Sequence, residues 1–422
     1  MLPPKYPRTR DTGHAAGNGT GSSAAHTHTH TAVQTALAML SPTIFDASPV
    51  SCGNVFLFPP VGAQHVNMAR KLYDTNDGFA SVLRECDALM PDLPLSLLEV
   101  LYPKDDDILA SEEIQRPTYY MPALFSVQYG LYRCCVSDHG MRPNAVVGHS
   151  IGEYCAAVAA GVLDLESAMK LVNERARAME AYMPLPSPGS MWALKATEAT
   201  ARAAILDAGV GDAAGLAAIN TPDSIVVSGE NKAVEALIEA LPKGTRSLQV
   251  KATHGDHSRL MEPVAKSLSL AAQELYRQTP PREPTCVWAS TVGPDAGLLT
   301  AESIKRAEFV THWGRHATNP VDFPAAMDAA LRACPRGDEG GDDAPLQLVE
   351  LGESMLVRFC KGIPSVAEAM DKGDVVASSV LQRVNGKADA RDRLAEDGDG
   401  PRLDAKGCEV EDCYLLDYCM LD

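Results

Sequence analysis

A serine hydroxyl becomes a useful nucleophile when a base takes its proton and the backbone presents it at an open turn. Gly148-His149-Ser150-Ile151-Gly152 supplies such a turn. It fits G-x-S-x-G, where a strand hands over to a helix and lifts the serine to the edge of a sheet. Glycines flank the elbow because the turn is strained and bulkier residues would strike neighbouring backbone. At the helix N-terminus the serine meets free N–H groups and the positive end of the dipole, so the N–H of Ile151 can stabilise an oxyanion. For the base, His257 in "KATHGDHSRLMEPV" stands out among the 11 histidines. His254, in the same stretch, competes with it on spacing alone.

Arg175 is the third residue with chemistry to offer. In "DLESAMKLVNERARAM", with Asp164 as N-cap, helical spacing puts it on a stripe with Ala168, Leu171, Val172 and Met179. A guanidinium on an apolar face needs an anion, because an unpaired buried charge is very costly. That anion is either an Asp or Glu of the chain or a substrate carboxylate held by a two-pronged fork.

These residues need elements to place them. "NVFLFPPVGAQ" reads as a buried strand entering a tight loop, and "QRPTYYMPALFSVQYGLYRCCVSDHG" as a long helix closed by Gly140. "NAVVGHS" is the strand before the elbow. After the proline-rich "AYMPLPSPGS", the runs "MWALKA", "TEATARAAILDAG", "GLAAIN", "SIVVSG", "ENKAVEALIEAL" and "TRSLQV" follow the order β-α-β-β-α-β. This is the split βαβ pattern of a ferredoxin-like subdomain, with its hairpin turn at Thr221-Pro222-Asp223. The predicted organisation is a polar extension over 1–52, a large α/β domain from 53–186 and 251–376, an inserted subdomain over 187–250, and an acidic tail over 377–422. His257 then lies where the chain rejoins the large domain.

The 422 residues are 45% hydrophobic and 22% charged, the balance of a globular enzyme. A net charge of −18 disfavours nucleic-acid and anionic-membrane binding. No apolar run reaches the ~18 residues of a membrane span. The 11 cysteines suggest free thiols in a reducing, cytoplasmic compartment. Lys5, Arg8 and Arg10 against Asp11 and Asp46 leave an organelle transit peptide open for the first fifty residues. Neither the alternating His26, His28 and His30 nor the C-terminal cysteines have convincing metal-site spacing.

"FLFPPVGAQ", "GHSIGEY", "NERARAM", "INTPDSIVVSG", "DHSRLMEP", "NPVDF" and "LVELGES" occur in that order. Together they resemble the malonyl-CoA:acyl-carrier-protein transacylase family, in the form found in type I polyketide synthases, over about residues 53–375. The resemblance implies an α/β-hydrolase-like large domain with an inserted ferredoxin-like subdomain. It implies Ser150 as the acylated serine, His257 rather than His254 as base, and the main-chain carbonyl of His316 as the group orienting that base. Arg175 matches an arginine that holds the malonyl carboxylate, and Asn220, with His149, Gln64 and His254, falls around the substrate pocket. The implied reaction is ping-pong transfer to an acyl carrier protein, for fatty acid or polyketide synthesis. Coenzyme A enters as substrate and no cofactor is needed; a monomer is expected.

Departures from the family pattern are informative. Pro60-Val61-Gly62-Ala63-Gln64 replaces a Gly-Gln-Gly-Ser-Gln loop, so Val61 would supply the second oxyanion N–H and only Gln64 is retained. His254-Gly255-Asp256-His257 stands where His-Ala-Phe-His marks malonyl and Tyr-Ala-Ser-His marks methylmalonyl. The leading histidine and Ile151 favour malonyl, whereas a carboxylate at Asp256 would repel it unless Arg175 or a turned-away rotamer screens it; malonyl remains the expected acyl group. A serine hydrolase with water as acceptor and a catalytically impaired scaffold are the competing readings. Carrier proteins are usually acidic, so Arg70, Lys71, Arg259, Arg306 and Arg315 are candidate docking cations.

Overall fold

Short apolar runs form the centre of the molecule, and the chain visits them in two passes. The first pass lays down β1 (Asn54–Phe58) and β2 (Ala145–Gly148), which pair in parallel and are buried almost throughout, as strands covered on both faces must be. The chain then leaves for β3 (Gly189–Lys195), β4 (Ala214–Thr221), β5 (Ser224–Glu230) and β6 (Ser247–Gln249). It returns with β7 (Val287–Ser290), β8 (Gly297–Leu299), β9 (Val321–Asp322), β10 (Leu346–Glu353) and β11 (Val375–Leu381). The computed structural model describes residues 53–104, 108–183, 187–250, 254–293, 296–334 and 345–381. The expected extension over 1–52 and the tail beyond 381 lie outside the described residues.

The large sheet has the order β11-β10-β1-β2-β7-β8, parallel except for β8 at one edge. β1 and β2 lie side by side at its centre, so their C-terminal ends bring the Pro60–Val61 loop and the Ser150 elbow together, at the end of the sheet where such folds bind ligands. The helix Pro117–His139 packs beside the sheet and is closed by Gly140 at φ 65, a left-handed cap suited to glycine.

The second sheet has the order β6-β3-β5-β4-β9. Its first four strands, with helices Glu198–Asp207 and Asn231–Ala240, are the βαββαβ unit read from the sequence, and the hairpin turns between Thr221 and Ser224. The fifth strand, β9, belongs to the large domain and pairs in parallel with β4 through Ala218–Val321 and Ile219–Asp322. That pairing fastens the subdomain over the end of the large sheet. At the other boundary, β11 continues to Leu381, past the expected domain end at 376. Its polar Ser378 and Ser379 hide the strand pattern, but this edge strand pairs in parallel with β10 from Val375 to Ser379 and, after a register shift, again at Leu381.

Candidate active site

The elbow is as strained as its glycines imply. Ser150 sits at φ 50, a left-handed conformation that costs a non-glycine residue free energy. A Cβ on Gly148 would lie 2.4 Å from the Cα of Glu153, and one on Gly152 would lie 2.1 Å from the carbonyl oxygen of Phe58. Both glycines are therefore needed for close approach. The helix Gly152–Ala159 starts directly after the serine. The Thr291 hydroxyl steadies the turn from below by donating to the Gly148 carbonyl at 2.8 Å.

Ser150 Oγ lies 2.8 Å from Nε2 of His257. On the far side of that ring, Nδ1 is 3.0 Å from the carbonyl oxygen of Asn319. A carbonyl only accepts, so Nδ1 carries the proton and Nε2 turns its lone pair to the serine, the tautomer a base requires. The main orienting bond thus goes to the Asn319 carbonyl, while the expected main-chain carbonyl of His316 acts on the same ring as a second, weaker backbone acceptor. The helix His312–Thr318 has ended by that point, which leaves the Asn319 carbonyl free to face the ring. Burial lowers the His257 pKa to about 4, with the Arg175 charge adding to the effect and Asp256 and the Asn319 carbonyl opposing it. At neutral pH the imidazole is uncharged and able to accept a proton.

The side chain of His316 has another position. Its Nε2–H donates to the Ser150 carbonyl at 3.0 Å, and its Nδ1 accepts from Nη1 of Arg175 at 3.0 Å. Burial, reinforced by the Arg175 charge, holds its pKa well below the usual range, so it bridges as a neutral ring. His316 is therefore a spacer between Arg175 and the elbow.

Arg175 lies on the stripe predicted for it, with Ala168, Leu171, Val172 and Met179 all buried and Asp164 capping the helix through the N–H of Ser167. Only 1% of it is exposed, and its Nη2 pairs with Oδ1 of Asp256 at 3.2 Å. Burial works against its charge, but Tyr154 and Asp256 more than offset this and raise its pKa. Of the two readings open at the sequence level, the structure shows the internal ion pair. The guanidinium does not line the cavity beside Ser150, whereas Asp256 does.

That cavity has walls from both domains. Pro60, Val61, Met355 and Phe359 come from the large domain, and Met191, Ala218, Val226 and Val250 from the subdomain. His149 and Asn220 join the walls, with the His149 Nε2–H donating to Oδ1 of Asn220 at 2.8 Å. Burial lowers the His149 pKa to about 4, although the bond to Asn220 opposes this. Val61 borders the cavity and Ile151 follows the nucleophile, and neither main-chain N–H has a hydrogen-bond acceptor among the described residues. Both are thus available to a developing oxyanion.

Two expected substrate residues lie elsewhere. Gln64 folds back so that its Oε1 accepts the N–H of Gly62 at 2.6 Å; it shapes the loop and does not border the cavity. His254 is fully buried, with Nε2 bonded to the Met183 carbonyl at 2.8 Å, and pins its segment to the end of the Arg175 helix. Of the docking cations, Arg259 already faces Asp212 and Glu262, and Arg70 faces Asp74. The sequence reading gave no role to Asn319, Met355 or Phe359. Asn319 opens the quoted "NPVDF" and Met355 directly follows "LVELGES", but no periodicity marks a carbonyl or a cavity wall.

The family model described as the acyl transferase domain matches residues 55–337. Polyketide synthase GfsB of Streptomyces halstedii is 37% identical over 278 residues, which are 65% of this chain and 5% of that protein. The chain thus spans only a small part of such curated relatives. Among solved structures, the acyltransferase domain from the second module of the salinomycin polyketide synthase is 29% identical with a TM-score of 0.63, over 79% of this chain and 69% of that one. A loading acyltransferase from the avermectin modular polyketide synthase is 26% identical with a TM-score of 0.64, over 81% of this chain and 99% of that one.

Proposed function

Since this chain belongs to the acyl transferase domain family, we propose that it moves an acyl group from coenzyme A to the pantetheine thiol of an acyl carrier protein through an acyl-Ser150 intermediate. The observation that carries this reading is the 2.8 Å contact from Ser150 Oγ to an imidazole whose other nitrogen is tied to the Asn319 carbonyl. His257 takes the hydroxyl proton as Oγ attacks the thioester carbonyl. The N–H groups of Val61 and Ile151 receive the oxyanion, a single such donor being worth about 2.7–4 kcal/mol. The C–S bond then breaks, and coenzyme A leaves with the proton returned by His257. In the second half the carrier thiol gives its proton to His257 and attacks the ester. The Ser150 oxygen leaves with that proton, and the acyl group ends as a thioester on the carrier.

Base catalysis by His257 accounts for about 10²–10⁴-fold of the rate. The malonyl donor implied by the resemblance needs Arg175 free for a carboxylate, and Arg175 is engaged by Asp256. That pair therefore governs which acyl groups load. Intact-mass measurement after mixing with a panel of acyl-CoA thioesters tests the reading. The expected result is an acyl adduct on the wild type, none on Ser150→Ala, and coenzyme A release that rises with added pantetheinylated carrier. Release that ignores the carrier would indicate hydrolysis instead.

A further inference from the structure

Asp256 occupies the place that a carboxylate-bearing acyl group would need. Its Oδ1 is 3.2 Å from Nη2 of Arg175, and it stands between the guanidinium and the cavity, which it lines and Arg175 does not. Arg175 Nη1 is also committed, to Nδ1 of His316 at 3.0 Å. The rest of the wall that could meet an acyl chain is apolar: Val61, Met191, Val226, Val250, Met355 and Phe359. The histidines that face the cavity, His149 and His257, are held neutral by burial. No lysine or arginine lines the cavity among the described residues.

Asp256 cannot readily step aside. The N–H of His257 donates to the Ala317 carbonyl at 3.2 Å, the Ser228 hydroxyl donates to the Asp256 carbonyl at 2.5 Å, and the ring of His254 is bonded to Met183. The backbone around Asp256 is thus fixed on three sides, and the residue is only 5% exposed. A substrate carboxylate would meet a like charge first. It would either be buried beside that charge or displace it and leave Asp256 without its partner; both are expensive for groups this deeply buried. An uncharged acyl chain disturbs neither group and gains contact with the apolar wall.

We propose that Asp256 is a built-in counter-ion that neutralises Arg175 and selects acyl groups uncharged at their distal end, such as acetyl, propionyl or a short branched acyl, over malonyl and methylmalonyl. This rests on the acyl-transfer reading and names its substrate class. Arg175 keeps its structural place through Asp256 and His316 instead of receiving substrate.

The test measures kcat/KM for loading of Ser150 from acetyl-, propionyl-, butyryl-, malonyl- and methylmalonyl-CoA, by rapid quench and intact mass, in the wild type, Asp256→Asn and Asp256→Ala. The wild type is expected to load the best uncharged acyl group at least about tenfold faster than malonyl, a difference well within what one charged contact supplies. Asp256→Asn keeps the shape and removes the charge, so it should shift the malonyl-to-propionyl ratio by about tenfold or more toward malonyl. Malonyl loading faster than every uncharged acyl group in the wild type would overturn the proposal even if both variants failed to fold. So would an unchanged ratio in a folded Asp256→Asn. Absence of an adduct from all five thioesters would instead overturn the acyl-transfer reading, and this inference with it.

Discussion

At pH 5.5 an imidazole with the ordinary pKa of 6.5 is about nine-tenths protonated and has largely lost its use as a base. His257, lowered to about 4 by burial and by the nearby Arg175 charge, should be only about 3% protonated there. Loading of Ser150 should therefore change by less than about a tenth between pH 7.5 and 5.5, whereas an ordinary histidine would cost about tenfold. The fall should come near pH 4 to 5, with unit slope. Stability sets the lower limit of the assay. His149 and His257 are both held neutral in the fold, with pKa values of about 4, while the unfolded chain takes up protons below 6.5. Their contribution is complete well above pH 6.5 and lost as the pH falls toward 4, with a loss on the order of 1 kcal/mol for each by pH 5.5. Single-turnover loading by rapid quench, with circular dichroism confirming the fold at each pH, separates the two effects. A loading midpoint above about pH 6 in folded protein would refute the argument that burial and Arg175 hold this base neutral.

Gly152→Ala should destabilise the protein by about 1–3 kcal/mol and abolish loading, because the new Cβ would meet the Phe58 carbonyl, which already accepts the N–H of His149 at 2.9 Å. Thermal denaturation together with intact-mass loading checks this, and normal values for both would contradict the close-approach argument. Glu350→Ala should cost about 3 kcal/mol or more in urea unfolding, since the buried carboxyl accepts the N–H groups of Met355, Leu356 and Val357 at 2.8, 3.0 and 2.9 Å. Met355 and Phe359 follow from that helix start into the cavity, so KM for the acyl donor should rise as well.

The parts legible in the sequence were those governed by local rules. The elbow follows from two glycines around Ser150, the βαββαβ order from alternating periods of two and 3.6, and the burial of Arg175 from helical spacing. What escaped was tertiary. The stripe shows that Arg175 is buried, and the resemblance allows Arg175 to screen Asp256, but the two lie 81 residues apart in the chain and no local pattern makes them a pair. The carbonyl that orients His257 belongs to Asn319 because the preceding helix ends there, and helix ends are the least legible boundaries in a sequence. Gln64 and His254 have the residue types of substrate contacts, yet each is used by a neighbouring main-chain group first.

The cavity depends on how the two domains meet. Ser150 stands in the turn that follows a central strand of the large sheet, and His257 lies on the chain returning from the subdomain, yet its ring is aimed by Asn319 of the large domain. Four apolar walls come from β3, β4, β5 and the residue after β6. The strand pair β4–β9 sets their height above the elbow, and the His149–Asn220 bond repeats that constraint beside the nucleophile. A change in subdomain docking would therefore leave the Ser150–His257 pair intact while moving the apolar wall. On the proposed acyl-transfer reading, acyl size and acyl charge would be set separately: size by the seating of the subdomain on β9, and charge by whether Asp256 or the substrate neutralises Arg175. Substitutions at Val226 or Val250 should alter the preferred chain length without exchanging uncharged for charged acyl groups, because neither side chain contributes to the ion pair.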